Sequence, residues 1–294
     1  MSYNNYLDAD AAYQTCCDYA DPTCVIVKHT NPCGAATALV SDGLSPSEEN
    51  GSAADLRAAY RRAVEADPIS AFGGIVAFNR PVDAALAREI REFRSPTDGE
   101  TRMFYEIVVA PGYTKEGLET LRGKSKALRI LEAPLRSPSG RSARQVASGW
   151  LVQGHDDVTP STDGFKWECK TKVQPTAEQL EDLAFAWRAA KHVKSNAIAV
   201  AKGGRLLGMG SGQPNRVESV RLALGKAGKE AEGSALASDA FFPFARGDSV
   251  EIACQAGVKI IAHPGGSLRD EECVAVCDEY GVCCVTTGYR HFRH

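Results

Sequence analysis

Apolar residues recur along this chain with two different periods, which predicts alternating helices and strands. A helical period places Leu56, Tyr60 and Ala63 on one face of a segment that ends before Pro68. Continuous apolar runs such as residues 75–78 are typical of strands that are buried on both faces. We therefore expect an α/β chain in which helices cover both faces of a sheet.

The other elements follow from the same two patterns and from the residues that begin and end them. Further strands are predicted at 24–27, 107–110, 197–202, 205–209, 258–262 and 282–285, and further helices at 8–19, 81–93, 176–192, 217–224, 249–256 and 268–280. Thr176 and Gln179 have the spacing of a capping box, which begins a helix. Ser267 is expected to cap the last helix.

Two turns are predicted from glycine and proline. The dipeptide at 203–204 is Gly-Gly between two apolar runs, which predicts a hairpin. Pro32 and Gly34 predict a turn after the strand at 24–27, and we expect a helix to open behind it at Ala35.

Short pairs of similar segments predict that the chain contains two related halves. The pairs are Lys28-His29 and Lys191-His192, residues 70–72 and 238–241, and residues 107–112 and 260–265. An internal duplication of alternating helices and strands predicts two α/β/α lobes. We expect the first lobe at 1–133, a linking region at 134–175 and the second lobe at 176–294.

The composition limits the classes of partner. The 294 residues carry a formal net charge of -3 with acids and bases interspersed, and no basic stripe predicts binding to nucleic acid. No apolar stretch approaches the length of a membrane span, so we expect no membrane partner. The ten cysteines include no pair separated by two residues, which disfavours a zinc site and indicates reduced thiols in a cytosol-like compartment.

The dipeptide Lys28-His29 follows a predicted strand directly. Side chains at the carboxyl ends of strands commonly carry the chemistry of α/β proteins. A lysine can hold an anion, and a neighbouring histidine can transfer a proton near neutral pH. From the local sequence alone, an exposed lysine beside a hydrogen-bonded turn histidine is the simpler interpretation.

Four other segments have both a ligand-binding and a structural interpretation. Gly73 would let backbone approach a ligand, or would simply form a helix-to-strand turn. The glycine-rich segment 208–216 suits a polar group at a helix start, although it lacks both the P-loop lysine and the dinucleotide fingerprint. Residues 241–244 would stack a flat heterocycle or form an edge of the core. The cationic tail 290–294 would dock on a site or fray.

Eight segments together resemble one family, in the same order along nearly the whole chain. They are VKHTNPCGAA, DPISAFGGIVAFNR, EIVVAPGY, RAAKHVKSNAIAV, GMGSGQPNRVESVRLA, SDAFFPF, PGGSLRDEE and GYRHFRH. The chain resembles the transformylase domain of bifunctional purine biosynthesis enzymes, which formylate aminoimidazole carboxamide ribonucleotide (AICAR). The resemblance implies 10-formyltetrahydrofolate as the co-substrate, the 5-amino group of AICAR as the acceptor, and a fold of two related cytidine-deaminase-like α/β/α lobes without zinc.

The resemblance also implies roles for individual residues. His29 would transfer a proton, Lys28 would lie near the developing charge, and Asn196 would orient the donor or stabilise the oxyanion. The residues matching the AICAR side are Gly73, Arg290, Phe292 and His294. The residues matching the folate side are Glu106, Arg216, Phe241, Pro243, Asp248 and Ser267.

The resemblance also implies an oligomeric state, a cellular location and a limit on the activity. Family members form dimers, so the resemblance implies a homodimer, and it implies a cytoplasmic location with an organelle left open. The family's cyclohydrolase domain and a phosphate-holding segment of the type Arg-Tyr-Gly-x-Asn-Pro-His-Gln come before the matched region, so we expect no ring closure on this chain. The alternatives are a module that binds folate or nucleotide without turnover and a zinc-dependent deaminase, for which the sequence offers no ligands.

Overall fold

A computed structural model of the protein describes residues 1–38, 51–123, 127–135 and 140–294. The helices are α1 Tyr3–Cys17, α2 Gly51–Ala66, α3 Pro68–Ala71, α4 Ala84–Glu92, α5 Lys115–Arg122, α6 Ala177–His192, α7 Arg216–Ala227, α8 Ser249–Gln255 and α9 Asp270–Tyr280, with a short 3-10 helix at Gly228–Ala231. The strands are β1 Thr23–Lys28, β2 Asn31–Thr37, β3 Gly74–Phe78, β4 Tyr105–Ala110, β5 Arg129–Glu132, β6 Arg141–Val146, β7 Gly149–Gly154, β8 Glu168–Cys169, β9 Ile198–Lys202, β10 Arg205–Gly210, β11 Ala235–Ser238, β12 Ile260–His263 and β13 Cys283–Thr286.

Eleven of the described strands form one mixed sheet in the order β5-β4-β3-β1-β2-β10-β9-β11-β12-β13-β8. In the first half, β1 is antiparallel to β2 and β3, while β3, β4 and β5 are parallel to one another. In the second half, β9 is antiparallel to β10 and β11, while β11, β12 and β13 are parallel. The two halves therefore repeat one strand order, in agreement with the predicted duplication, and they join where β2 pairs with β10.

Helices cover both faces of this sheet, as the sequence predicts. On one face, α1 and α6 cover a single core that extends across both halves and includes Tyr13 and Trp187. On the other face the core is divided, with Tyr60 of α2 on the first half and Val220 of α7 on the second. The chain thus has a mixed α/β fold in which the two halves share the core beneath α1 and α6 but have separate cores on the other face of the sheet.

The repeated topology corrects two of the three segment pairs on which the duplication was predicted. By position in the sheet, β1 corresponds to β9, so the counterpart of Lys28 lies at the end of β9 and not at Lys191, which belongs to α6. Residues 70–72 precede β3, whereas 238–241 begin at the last residue of its counterpart β11. The third pair is confirmed, because both of its segments run through and beyond equivalent strands, β4 and β12.

The helix predicted at Ala35 is wrong, because residues 31–37 form β2. Pro32 and Gly34 belong to this strand, which bulges where Pro32 lies opposite Val27. Gly34 is needed for packing rather than for a turn, since a Cβ at this position would lie 2.1 Å from the carbonyl oxygen of Ala63 on α2. Pairing with β1 and contact with α2 therefore override the local turn signals.

Other start and turn signals have mixed outcomes. The capping box of Thr176 and Gln179 is present at the start of α6, and the β9–β10 hairpin turns at the predicted Gly-Gly. The predicted cap of the last helix is wrong: α9 begins at Asp270, and its N-cap residue Arg269 makes no side-chain capping bond. The Ser267 hydroxyl instead accepts a hydrogen bond from the backbone N–H of Arg269 at 3.1 Å.

A buried group of charged and polar side chains connects the ends of α1 and α6. Asp18 Oδ2 accepts hydrogen bonds from Lys191 Nζ at 2.9 Å and from His192 Nε2 at 2.6 Å. Burial by itself would raise the pKa of Asp18, but the hydrogen bonds and charges of His192 and Lys191 outweigh it and lower the pKa to about 2. Burial lowers the pKa of His192, although the hydrogen bond and the charge of the Asp18 carboxylate oppose this effect.

We expect Asp18→Ala to lower the free energy of unfolding by about 3–5 kcal/mol, because it leaves the buried Lys191 charged and without its carboxylate. The double variant Asp18→Ala/Lys191→Met should recover most of that loss, since it removes both charges. Urea denaturation of the three proteins measures the difference. If the single and double variants lost the same free energy of unfolding, the assignment of Asp18 and Lys191 as a buried ion pair would be contradicted.

Candidate functional site

The tip of the β1–β2 hairpin presents Lys28 and His29. Lys28 pairs with Asn31, so His29 and Thr30 are the two turn residues. Their φ angles are 53° and 61°, the positive values typical of a type I′ turn, in which asparagine and glycine are preferred. Left-handed backbone costs a residue with a side chain about 1–2 kcal/mol. Part of the support comes from Asp8 of α1, whose Oδ1 accepts the backbone N–H of Thr30 at 2.7 Å.

Asn31 connects this turn to the second half of the chain. Its Nδ2 donates to the carbonyl oxygen of His29 at 2.9 Å. Its Oδ1 accepts from the Ser211 hydroxyl at 2.6 Å and from the backbone N–H of Lys194 at 3.3 Å. The predicted reactive pair is therefore held beside the segment that leads from α6 to Asn196.

Lys28 reaches toward the predicted ligand-approach glycine. Its Nζ donates to the carbonyl oxygen of Phe72 at 2.9 Å, so the ammonium lies next to Gly73 and keeps further N–H groups for a ligand. Gly73 has φ +76°, and a Cβ added there would meet no atom of the described residues within 4 Å, its two chain neighbours apart. His29 is exposed beside it. The structure thus brings Lys28, His29 and Gly73 together around open space.

Glu106 lies at the same edge of the sheet. β1 is antiparallel to β3, and β3 is parallel to β4. The end of β1 and the starts of β3 and β4 therefore lie at the same edge of the sheet. Glu106 is the second residue of β4, and its Oε2 accepts a hydrogen bond from Asn5 Nδ2 of α1 at 2.8 Å. Its carboxylate is also 4.0 Å from Arg129 Nη1.

Asn196 and Arg216 belong to one polar network with Asp239. Arg216 donates from Nη2 to Asn196 Oδ1 at 2.7 Å and from Nη1 to Asp239 Oδ1 at 2.5 Å. The side chains of Arg216 and Asp239 are only 5% and 0% exposed. Asn196 Nδ2 donates to the carbonyl oxygens of Gln213 and Pro214 at 2.8 and 3.1 Å. Both amide N–H groups of Asn196 are thus engaged, and its Oδ1 keeps one lone pair.

The orientation of the Asn196 amide follows from its partners. A guanidinium can only donate, and backbone carbonyl oxygens can only accept, so Oδ1 must face Arg216 and Nδ2 must face residues 213 and 214. Arg216 was expected on the folate-binding surface. The structure buries its guanidinium beneath Asn196, where the described partners are protein atoms.

The C-terminal tail docks beside this network. The backbone N–H of Ser195 donates to the carbonyl oxygen of Arg293 at 2.8 Å, and Ser195 Oγ donates to Asp239 Oδ2 at 2.5 Å. Arg293 Nη1 in turn donates to the carbonyl oxygen of His192 at 3.2 Å. The tail is therefore attached to the segment between α6 and β9 and does not fray from it.

The tail residues predicted to contact AICAR are exposed and contact one another. The guanidinium of Arg290 lies 5.0 Å from the centre of the Phe292 ring, and the Phe292 and His294 rings are 4.7 Å apart. Phe292 has a positive φ of 54°. These three side chains form one small exposed cluster next to the docked Arg293.

The other residues predicted on the folate side follow strands of the second half. Phe241 and Pro243 come after β11, and both are exposed. Asp248 is the N-cap of α8, where its Oδ1 accepts the backbone N–H of Ser249. Ser267 follows β12. Because β11 and β12 are parallel and β9 is antiparallel to β11, these residues share the sheet edge at which β9 begins, close to Asn196.

Three residues that hold the site in place were not singled out from the sequence. Asn31 and Asp239 lie inside two of the segments that carry the family resemblance, VKHTNPCGAA and SDAFFPF, so a polar side chain next to a predicted strand end was the available signal. Asp8 gave no local signal, because its partner Thr30 lies on another element.

The described part of the chain also limits other classes of site. No helix in it is long and apolar enough to cross a lipid bilayer. In the same residues, no three His, Cys, Asp or Glu side chains are grouped so that they could hold a metal ion.

Comparison with known proteins matches this chain to one protein family. Residues 1–226 match a family model described as AICARFT/IMPCHase bienzyme. The chain is 44% identical over 296 residues to the bifunctional purine biosynthesis protein PurH of Bacillus thuringiensis (strain Al Hakam), and 44% identical over 299 residues to that of Desulfitobacterium hafniense (strain DSM 10664 / DCB-2). Each alignment covers 100% of this chain and 52% of the relative, so the chain spans about half the length of the curated relatives it matches.

A solved structure of RibD from Acinetobacter baumannii is a weaker match. It is 18% identical, covers 36% of this chain and 33% of its own, and has a TM-score of 0.25. A likeness of this size supports no statement about the fold, and the cytidine-deaminase-like character expected of the two halves stays a prediction.

We expect Arg216→Ala to lower the free energy of unfolding by about 3–5 kcal/mol, because it leaves the buried Asp239 carboxylate without its cation. Arg221→Ala is the matched control on the same helix, since Arg221 is exposed and, within the described residues, pairs with Glu218 across one turn. Its effect should stay within about 0.5 kcal/mol. Thermal or urea unfolding measures both. An Arg216→Ala protein as stable as the control would contradict the structural role assigned to the Arg216–Asp239 pair.

Proposed function

Because the chain belongs to the AICARFT/IMPCHase bienzyme family, we propose that it transfers the formyl group of 10-formyltetrahydrofolate to the 5-amino group of AICAR. The family and the PurH relatives support a role in purine biosynthesis. One observation carries the finer assignment: through Asn31, the Lys28-His29 turn is hydrogen-bonded to the segment that leads to Asn196. A cation, a proton-transfer group and a fixed hydrogen-bond acceptor are thereby gathered at one edge of the sheet.

The reaction requires activation of a weak nucleophile. The 5-amino lone pair delocalises toward the ring carboxamide, so attack on the formyl carbon is assisted when a base removes the amine proton. His29 is the proposed base. The new N–C bond places negative charge on the formyl oxygen, and the remaining N–H groups of Lys28 are the proposed donors to that oxyanion. Collapse then breaks the bond to folate N10, which takes up the proton held by His29 and leaves as tetrahydrofolate.

The hydrogen bonds of Asn196 suggest a narrower role than donor orientation or oxyanion stabilisation. Both of its N–H groups are engaged with backbone carbonyl oxygens, so an oxyanion would have to displace one of them. The free lone pair of Oδ1 can accept an N–H of the substrate amine or of the folate. We therefore propose Asn196 as an acceptor that aligns a ligand N–H, with Arg216 holding it from below.

The two ligands are proposed to occupy neighbouring parts of this edge. On the AICAR side are Gly73 and the tail residues Arg290, Phe292 and His294, and on the folate side are Glu106, Phe241, Pro243, Asp248 and Ser267. The exposed Phe241 offers an aromatic face to a flat pterin ring. A reduced folate would act as co-substrate, and zinc has no part in the proposed steps.

A homodimer is proposed from the exposed hairpin formed by β6 and β7. These strands form a two-stranded sheet separate from the main one, and every position in both strands is exposed. Trp150 and Leu151 are 66% and 62% exposed. A lone two-stranded hairpin is only marginally stable in water, so a covering partner would stabilise it. We propose that the partner is a second copy of this chain and that the protein acts in the cytoplasm.

We expect Lys28→Ala and His29→Ala each to reduce formyl transfer by about 10²–10⁴-fold, the usual size of a single acid–base or oxyanion contact. Both side chains lie at a partly or fully exposed turn, so the unfolding transition should stay close to that of the wild type. Production of formylated AICAR from 10-formyltetrahydrofolate measures the rate. Lys229→Ala, in the 3-10 helix of the second half, serves as the matched lysine control.

The same assay separates the proposed enzyme from a binding module. Isothermal titration with AICAR and with reduced folate, followed by the turnover assay, decides between them. Binding without turnover by the wild-type chain would favour the module, and near-normal turnover by His29→Ala would remove its assigned role.

We expect Trp150→Glu to shift the protein from dimer to monomer, because a carboxylate would be buried in the proposed interface. Gln153→Glu places the same charge on the opposite face of this strand, because side chains alternate along it, and should leave the assembly unchanged. Sedimentation velocity measures the three proteins. A wild-type chain that sediments as a monomer would contradict the proposed interface.

A further inference from the structure

The N–H of Thr30 has no place in the β1–β2 ladder. Lys28 and Asn31 form the last pair of the hairpin, so the two residues between them lie outside its hydrogen bonds. A buried or partly buried N–H needs an acceptor from elsewhere. Asp8 supplies it with a carboxylate oxygen at 2.7 Å, a charge-assisted bond that is stronger than one between neutral groups.

The hydrogen bond from Thr30 to Asp8 lies at the two residues whose backbone conformation is energetically unfavourable. His29 and Thr30 both have positive φ, and a β-branched residue such as Thr30 rarely adopts that conformation. A two-residue turn of this kind normally relies on glycine or asparagine. Without an outside acceptor, the turn would relax toward ordinary backbone angles, and the Cα–Cβ direction of His29 would change with it.

Asp8 is well placed to impose this geometry, because α1 is anchored at several points. Asn5 of the same helix donates a hydrogen bond to Glu106 of β4, and Asp18 at its end bonds to Lys191 of α6. The apolar face of α1 is buried in the core that both halves share. The carboxylate of Asp8 therefore extends from a rigid helix rather than from a loop.

We propose that Asp8 is a positioning residue for formyl transfer: by binding the N–H of Thr30 it holds the left-handed turn that presents His29 to the ligand. The proposal rests on the proposed function of His29. Asp8 itself touches no reacting atom, and it acts only through the backbone of the turn.

Kinetics of matched variants test the role. Asp8→Ala removes the acceptor and should lower kcat by about 10–100-fold with KM changed by less than about 3-fold, because the proton-transfer group is misplaced while the ligand contacts remain. Asp8→Asn keeps an amide oxygen at the same position and should stay within about 3-fold of the wild type. Asp278→Ala is the matched control, since Asp278 of α9 also accepts a loop backbone N–H, that of Lys172, at 2.8 Å.

Hydrogen exchange at the Thr30 amide, followed by NMR, tests the bond without any assay of turnover. The amide should be protected in the wild type and in Asp8→Asn, and should exchange at least about 10-fold faster in Asp8→Ala. If the wild type binds its ligands but transfers no formyl group, the proposed function fails, while the exchange data still test the contact.

Specific results would overturn the proposal. Turnover by Asp8→Ala equal to that of Asp278→Ala would do so, as would an Asp8→Asn protein as impaired as Asp8→Ala. If Asp8→Ala does not fold, hydrogen exchange in the wild type and in Asp8→Asn still tests the role. A Thr30 amide that is unprotected from exchange in the wild type would contradict the role of Asp8. A Thr30 amide that is protected in both proteins would support it.

Discussion

The candidate site depends on the junction at which the two halves of the sheet meet. The backbone N–H of Thr37, at the end of β2, donates to the carbonyl oxygen of Gly204 in the β9–β10 turn at 2.9 Å. Arg62 of α2 spans the same junction and donates to the carbonyl oxygens of Thr37 and Gly203. Because β2 and β10 are antiparallel, this pairing sets the end of β1 and the start of β9 at the same edge of the sheet, with β2 and β10 between them. Without the pairing of β2 with β10, Lys28-His29 and Asn196 would lie on two separate sheets.

The core beneath α1 and α6 makes the junction rigid. The two helices cover both halves with one continuous set of apolar side chains, and Asp18 joins their ends through Lys191 and His192. A buried ion pair contributes little net stability compared with an apolar substitute, but a broken one is costly. The pair therefore penalises arrangements in which the helices shift relative to each other. Such shifts would also move the segments that follow α6 and β1.

A common arrangement recurs on both sides of the site. The side chains that face open space, His29 and Phe241, are exposed, while charged side chains that face inward support the backbone or amide beside them. Asp8 supports the His29 turn, and Arg216 supports Asn196. Each support is itself fixed, Asp8 by its helix and Arg216 by the fully buried Asp239. Such support lets reactive groups keep a geometry that their own local preferences oppose.

Local order in the sequence determined most of the elements. The capping box at Thr176 and the Gly-Gly hairpin each depend on neighbouring residues, and both are present in the structure. The residue types at the strand ends, together with the family segments, were enough to pick out Lys28, His29 and Asn196 as candidates. The strand β2 was missed because Pro32 and Gly34 are poor strand formers, and its formation depends on pairing with β1 and β10.

The tertiary structure alone decided which side chains hold the backbone and the side chains of the site in place. The likeness of Lys191-His192 to Lys28-His29 was misleading, because the two dipeptides lie at the ends of a helix and a strand that are not counterparts. The contacts of Asp8 with Thr30 and of Arg216 with Asp239 join residues from different elements, 22 and 23 positions apart. The sequence by itself determined most of the elements and the candidate chemistry, since both follow from residue type and local spacing. Only the folded sheet decided the geometry of the site, because contacts between distant segments form when the core brings them together.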